Sequence, residues 1–207
     1  MIRRLREILP DNGKAFSSIL ISLKTRNFRL YFTGMCVSLT GTWMQQIAMS
    51  WLVYRLTGSV FLLATVTFMA QIPILLVTPL MSVFVDRFDR QKILILTQSL
   101  SMVQALSMAV LTLSGVIEVW HILILSLLIG CINALDNPTR QAFYPSLVAK
   151  EHLSNAIALN SAVINGSRLI GPAVGGVLIG IFGEGLCFLL NGISYLGVII
   201  ALFLMRL

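Results

Sequence analysis

The sequence predicts an all-α membrane protein in which six transmembrane helices form one bundle. Three observations carry this. First, the chain is 57% hydrophobic and only 11% charged, whereas soluble domains carry about 25% charged residues. Too few charges remain to cover a surface facing water. Second, apolar runs of the roughly 20 residues needed to cross a bilayer recur six times, each closed by a turn signal. Third, the cations are distributed unevenly among the loops, as the positive-inside rule requires of a multi-pass protein.

The elements follow in order. Residues 1–27 form a basic segment ahead of a bundle over 28–207. Arg3, Arg4, Arg6, Lys14, Lys24, Arg26 and Arg29, seven of the fifteen cations, precede the first span. Asp11 to Lys14 interrupt any early apolar region, and no small-residue cleavage pattern follows, so this is not a cleavable signal peptide. The spans are expected at Leu30 to Tyr54, Val60 to Val85, Ile93 to Leu113, Val119 to Asn137, Leu153 to Phe182 and Gly185 to Met205. Between them lie Thr57-Gly58-Ser59, a charged cluster from Asp86 to Lys92, Ser114-Gly115, the mixed segment Arg140 to His152, and Gly183-Glu184. Pro145 interrupts the mixed segment, which reads as a linker lying on the membrane surface.

With the N-terminus inside, the inner face holds the N-terminal cations together with Arg87, Arg90, Lys92, Arg140, Lys150 and Arg206, and the outer face holds Arg55. That asymmetry places both termini in the cytoplasm. The net charge of +7 therefore reflects topology and contact with anionic lipid. No groove-reading motif accompanies it, so nucleic acid is not an expected partner. Cys36, Cys131 and Cys187 lie in apolar runs without metal-ligand or disulfide spacing. His121 and His152 sit near membrane edges without paired ligands. No nucleophile–base set or glycine-rich phosphate loop is present, so neither a cofactor nor an enzymatic activity is expected.

Polar residues inside the spans mark candidate sites. Arg168 lies near the middle of a run that rises about 45 Å at 1.5 Å per residue, too deep to reach the interface easily. A charge there costs about 2.5–3.5 kcal/mol on insertion scales. Ser161, Asn165, Arg168 and Pro172 share one helical face, a stripe expected to face a cavity. Burial of Arg168 against helix carbonyls or Asn165 is the alternative. In the first span Ser38, Thr42, Gln45, Gln46 and Ser50 cluster on about half the circumference. Gln45 and Gln46 need partners in hydrocarbon, either neighbouring helices or a bound substrate. Gln71 is a weaker candidate. Pro172 lacks an amide hydrogen. Gly171 with Gly175, and Gly176 with Gly180, are spaced for close helix approach.

Several ordered stretches agree with one family. They are Gly41-Thr42-Trp43-Met44-Gln45-Gln46, then Ser50-Trp51-Leu52-Val53-Tyr54-Arg55-Leu56-Thr57-Gly58-Ser59, then Asp86-Arg87-Phe88-Asp89-Arg90, then Asp136-Asn137-Pro138-Thr139-Arg140-Gln141, and Arg168 to Gly176. Together they resemble the enterobactin-exporter-like, or transmembrane secretion effector, branch of the major facilitator superfamily. The resemblance implies a bacterial inner-membrane protein that exports a small amphipathic compound, siderophore- or drug-like, by alternating access and proton exchange. It implies a gating latch at the charged loop, where Asp86 meets the start of helix 11 and Arg90 pairs with Asp136, with Arg87 and Arg140 completing the charged set. Ser82 and Asp89 replace two glycines of the superfamily loop pattern. Gly171, Pro172, Gly175 and Gly176 match its antiporter signature, and Gln45, Gln46, Asn165 and Arg168 would face the substrate. Transporters of this kind have two six-helix bundles, and 207 residues hold one. The missing partner is then a C-terminal bundle or a parallel second copy, with a non-transporting membrane assembly module as the remaining alternative.

Overall fold

The computed structural model describes residues 21–85 and 87–205. The N-terminal cations Arg3, Arg4, Arg6 and Lys14, the loop acid Asp86 and Arg206 lie outside the described residues. Six long helices follow a short 3-10 turn at Ile21–Lys24: α1 (Arg26–Thr57), α2 (Val60–Val85), α3 (Arg90–Leu113), α4 (Val119–Phe143), α5 (Leu153–Phe182) and α6 (Glu184–Leu204). No strand occurs among the described residues.

Local chemistry sets the ends. Gly58 closes α1 in the left-handed region at φ 60°, and its N–H donates to the Tyr54 carbonyl, a conformation that favours glycine. The Asp89 carboxylate accepts the N–H groups of Gln91 and Lys92 and so caps α3. This starts α3 at Arg90, three residues before the expected Ile93. Glu118 and His121 form a reciprocal cap at the start of α4.

One expectation needs correction. The Arg140 to His152 segment is not a simple surface linker. Helix α4 continues to Phe143, six residues past Asn137, and 3-10 turns follow at Tyr144–Ser146 and Lys150–His152. Phe143, Tyr144 and Leu147 are buried, so the apolar half of this segment joins the core. The first helix also departs from the others. Among the described residues five helices are long and apolar enough to cross a membrane by length and composition, and α1 is not one of them. Its 32 residues give ample length, about 48 Å. Its stripe of Thr, Ser and Gln lowers its hydropathy, and it places Ser38 and Gln45 in the bundle interior.

Helix α1 packs on α5 and α6, α2 on α4, and α3 on both α4 and α6. These principal pairings map onto themselves when the first three helices are exchanged with the last three. This is the contact pattern of a three-plus-three repeat, which no residue periodicity reveals. Two apolar clusters fill the interior. Phe28, Tyr31, Met35, Leu94, Phe143, Val198 and Leu202 gather at the end of the bundle where α1 begins. Met44, Leu52, Val66, Met108, Ile122 and Phe188 gather toward the opposite end. Arg55 at the end of α1 and Glu184 at the start of α6 pair at 2.7 Å at that opposite end.

Many spanning hydroxyls return to their own helix. Thr33, Thr40, Thr42, Ser50, Thr65, Thr67, Ser99 and Ser107 each donate to the carbonyl four residues earlier. This satisfies them without a partner helix. Most of the longer amides and the charges find partners elsewhere, and these define the site.

Candidate functional site: a polar groove along the first and fourth helices

Helix α4 supplies the centre of the site because its periodicity stacks polar groups on one side. Asn133, Asn137 and Gln141 are four residues apart, as are Asp136 and Arg140, and such pairs share a face. Because α4 runs to Phe143, all five remain on regular helix. They line a cavity of about 290 Å³ with Thr42, Trp43, Gln45 and Gln46 of α1, Asn160 and Ile164 of α5, and Tyr144. A second cavity of about 120 Å³ shares Thr42, Gln45, Gln46, Ile129 and Asn133 with it. It adds Ser50 of α1 and Thr67 and Gln71 of α2. The shared residues join the two into one polar groove between α1, α2, α4 and α5.

The charged pair sits at one end. Arg140 Nε donates to Asp136 Oδ2 at 2.5 Å. Thr97 Oγ1 and Gln98 Nε2, both from α3, donate to Asp136 Oδ1 at 2.6 and 2.9 Å. Three donors thus hold one carboxylate, the arrangement that makes a buried charge tolerable. The Asp136 side chain is 3% exposed and Arg140 16%, so the cation is the member of the pair that the groove reaches.

This corrects the expected latch. The Asp136 carboxylate is held by Arg140, one helical turn away, rather than by Arg90. Arg90 Nη1 instead donates to the Ala142 carbonyl at 3.2 Å. Carbonyls in the last turn of a helix lack intrahelical donors and attract cations, which explains the choice. Arg87 is exposed, and Asp86 lies outside the described residues.

Gln45 and Gln46 separate. Gln45 is buried and links three helices. Asn191 Nδ2 of α6 donates to its Oε1 at 2.7 Å, and its Nε2 donates to Gln104 Oε1 of α3 at 3.1 Å. Gln104 then donates to the Leu125 carbonyl of α4 at 3.3 Å. Both ends of the Gln45 amide are therefore occupied by protein, although its stem borders the groove. Gln46, one residue on, is exposed in the groove.

Asn165 and Arg168 are not in the groove lining. Both lie on the exposed face of α5, where Asn165 Nδ2 donates to the Ser161 carbonyl. Arg168 sits over the Trp43 ring, 4.7 Å from its centroid, a cation–π contact that stabilises it without an acid. The physical reason is the rotation of α5. Gly171 and Gly175 press onto α1, where an added Cβ would meet Trp43 Cβ at 2.6 Å and Ile47 Cγ2 at 2.8 Å respectively. Asn160 and Ile164 then border the groove, while Asn165 and Arg168 stand on the exposed face, Arg168 against the lining residue Trp43. Gly176 and Gly180 meet nothing within 4 Å. Among the described residues, only the first of the two expected glycine pairs packs a helix, and Gly176 does not. Pro172 lies within regular α5.

The residues that sequence reasoning missed are Asn133, Asn137, Gln141 and Asn160. The signal was the four-residue repeat through 133, 137 and 141. It is hidden when helix 4 is ended at Asn137. Among the described residues no group of three or more His, Cys, Asp or Glu is placed to hold a metal ion.

Comparison with known proteins agrees with this architecture. Residues 17–207 match the transmembrane secretion effector family. The chain is 31% identical over 168 residues to the staphyloferrin A transporter of Staphylococcus aureus, covering 81% of this chain and 42% of that protein. It is 27% identical over 172 residues to an MFS-type transporter of Bacillus subtilis, covering 82% and 40%. It is 28% identical over 162 residues to macrolide efflux protein A of Streptococcus pyogenes, covering 75% and 39%. The chain thus spans about two-fifths of the length of these relatives. No solved structure matches. A bundle of this helix order and pairing, with its family match over nearly the whole chain, belongs to the transmembrane secretion effector family of major facilitator superfamily transporters.

Proposed function

We propose that this chain supplies the N-terminal six-helix bundle of an efflux transporter. In this reading it exports a small amphipathic compound across a bacterial inner membrane by alternating access and proton exchange, with both termini of the bundle cytoplasmic. The observation that carries the proposal is the polar groove. An otherwise apolar bundle presents amides from α1, α2, α4 and α5 along one open channel, and unsatisfied polar groups facing lipid would cost several kcal/mol each. A groove lined in this way serves as one wall of an aqueous pathway, with a second six-helix bundle as the other wall. Relatives named for staphyloferrin A transport and macrolide efflux support export of organic compounds. We assign Gln46, Asn133, Asn137 and Gln141 to the cargo wall. The contact of Arg90 with the end of α4 and the loop acid Asp86 are assigned to the inner gate. Gln45 supports the wall from behind.

The test is export by the full-length protein in everted membrane vesicles, with a pH-sensitive dye reporting the vesicle interior. Addition of a macrolide should dissipate the preformed proton gradient and drive accumulation of the compound in the lumen. Accumulation without gradient loss would remove proton exchange and keep export. Absence of both for a macrolide and for salicylate would overturn the reading.

A further inference from the structure

The orientation of the Asp136–Arg140 pair points to a ligand class. Asp136 is turned into the protein, with Thr97 and Gln98 of α3 on Oδ1 and Arg140 on Oδ2. Both residues border the groove, and Arg140 is the more exposed of the two, 16% against 3%. The pair is therefore a dipole whose positive end faces the open side.

The guanidinium is also under-used. Its Nε donates to Asp136, and its Nη1 meets the Met35 thioether sulfur at 3.1 Å, a weak acceptor. An Arg bound fork-to-fork would spend two parallel N–H groups on the carboxylate; here only Nε is spent. No other protein acceptor takes the remaining N–H groups among the described residues. They border a cavity whose other polar lining is neutral, with amides such as Gln46, Asn133, Asn137 and Gln141 and hydroxyls such as Thr42 and Tyr144. Among the described residues Asp136 is the single acid in that lining, and its charge is already met by three donors.

We propose that Arg140 is the specificity-determining residue of the groove. It receives an anionic oxygen group, a carboxylate being the type case, on an amphipathic cargo. Asp136 is its positioning residue. It holds the guanidinium toward the groove and competes with the cargo anion for it. The inference rests on the transport reading for its biological meaning, but the binding site stands or falls separately.

The experiment is equilibrium binding of radiolabelled salicylate to the purified full-length protein, with salicylamide as the uncharged competitor. A hydrogen bond to a charged group contributes about 1.5–3 kcal/mol, so salicylamide should compete at least about tenfold more weakly than unlabelled salicylate. Asp136→Asn removes the competitor and keeps the shape, so salicylate should bind more tightly. A purely structural role for the pair gives the opposite sign. Arg140→Lys should weaken binding, because a point charge replaces a planar fork. Arg140→Gln alone strands a buried carboxylate, so the neutral double variant Asp136→Asn/Arg140→Gln serves as the deletion and should lose binding. Protection of the buried Cys187 thiol verifies folding of each variant.

Equal competition by salicylamide, weaker binding in folded Asp136→Asn, or no salicylate binding to the native protein would each overturn the proposal. Counterflow in proteoliposomes separates the two readings. Binding as described but without counterflow sinks salicylate transport and keeps the anion site. Counterflow unaffected by the double variant sinks the site and keeps transport.

Discussion

Two glycines of one signature, Gly171 and Gly176, should respond oppositely to the same added methyl group. At Gly171 a Cβ would lie 2.6 Å from Trp43 Cβ, 2.8 Å from the Thr40 carbonyl oxygen and 3.0 Å from the Met44 amide nitrogen. Ordinary van der Waals contact begins near 3.5 Å, so α1 and α5 must separate. Two of the three obstacles are helix backbone, which cannot rotate away. Overpacking of this kind costs about 1–3 kcal/mol. Replacing Gly by Ala in a helix returns roughly 1 kcal/mol, leaving a net loss of up to about 2 kcal/mol for Gly171→Ala. For a chain of this size about 2–4 °C accompanies each kcal/mol, so the unfolding temperature should fall by up to about 8 °C. Gly176→Ala meets nothing within 4 Å and keeps only the helix gain, so it should leave the transition unchanged or raise it. The assay is thermal unfolding in detergent, followed by a thiol-reactive dye. Cys187 is fully buried, while Cys131 is exposed and Cys36 half-buried, so a Cys36→Ser/Cys131→Ser background gives a low baseline and a signal on unfolding. A Gly171→Ala transition as high as that of Gly176→Ala would refute the close approach of α5 to α1. A fall in Gly176→Ala as large as in Gly171→Ala would refute the assignment of that face as open.

Three further outcomes are expected. Gln45→Leu strands the Asn191 amide and the Gln104 oxygen. Interhelical hydrogen bonds in membranes average about 0.6 kcal/mol, so the two should cost at least about 1 kcal/mol by the same thermal assay, and adding Gln104→Leu and Asn191→Leu should recover part of it. If Gln45→Leu alone were neutral, the chain of amides would not be a structural element. Arg168→Gln gives up a cation–π contact of about 0.5–1 kcal/mol and should leave the affinity for exported compounds within about twofold; a tenfold loss with an intact fold would return Arg168 to the pathway. Asn133→Leu, at the junction of the two cavities, should lower transport velocity without lowering the unfolding temperature. Unchanged transport in this variant would remove the junction from the route.

Much of the architecture was legible because lipid imposes strong constraints. A backbone in hydrocarbon must be helical, so each apolar run became a helix, and Leu153–Phe182 appears with the expected bounds. The site was less legible. Asp136 and Arg140 stood out as charges beside a membrane span, yet their pairing depended on whether α4 continued past Pro138. A proline five residues before the end of a helix offers no local signal of that continuation; burial of Phe143 against Tyr31 provides the reason. Gln45 and Gln46 looked alike in sequence and have opposite fates, because 100° of helical rotation places one among α3 and α6 and the other in the groove.

By itself, then, the sequence determined the solvent, the number of helices and the stretches that carry the family resemblance, since these depend on hydropathy, charge and local residue order. Tertiary structure decided which polar groups satisfy one another and which remain for a ligand. That division depends on the rotation of each helix about its axis. Contacts such as Gly171 and Gly175 on α1 set it, and no periodicity within a single helix encodes the position of its neighbour.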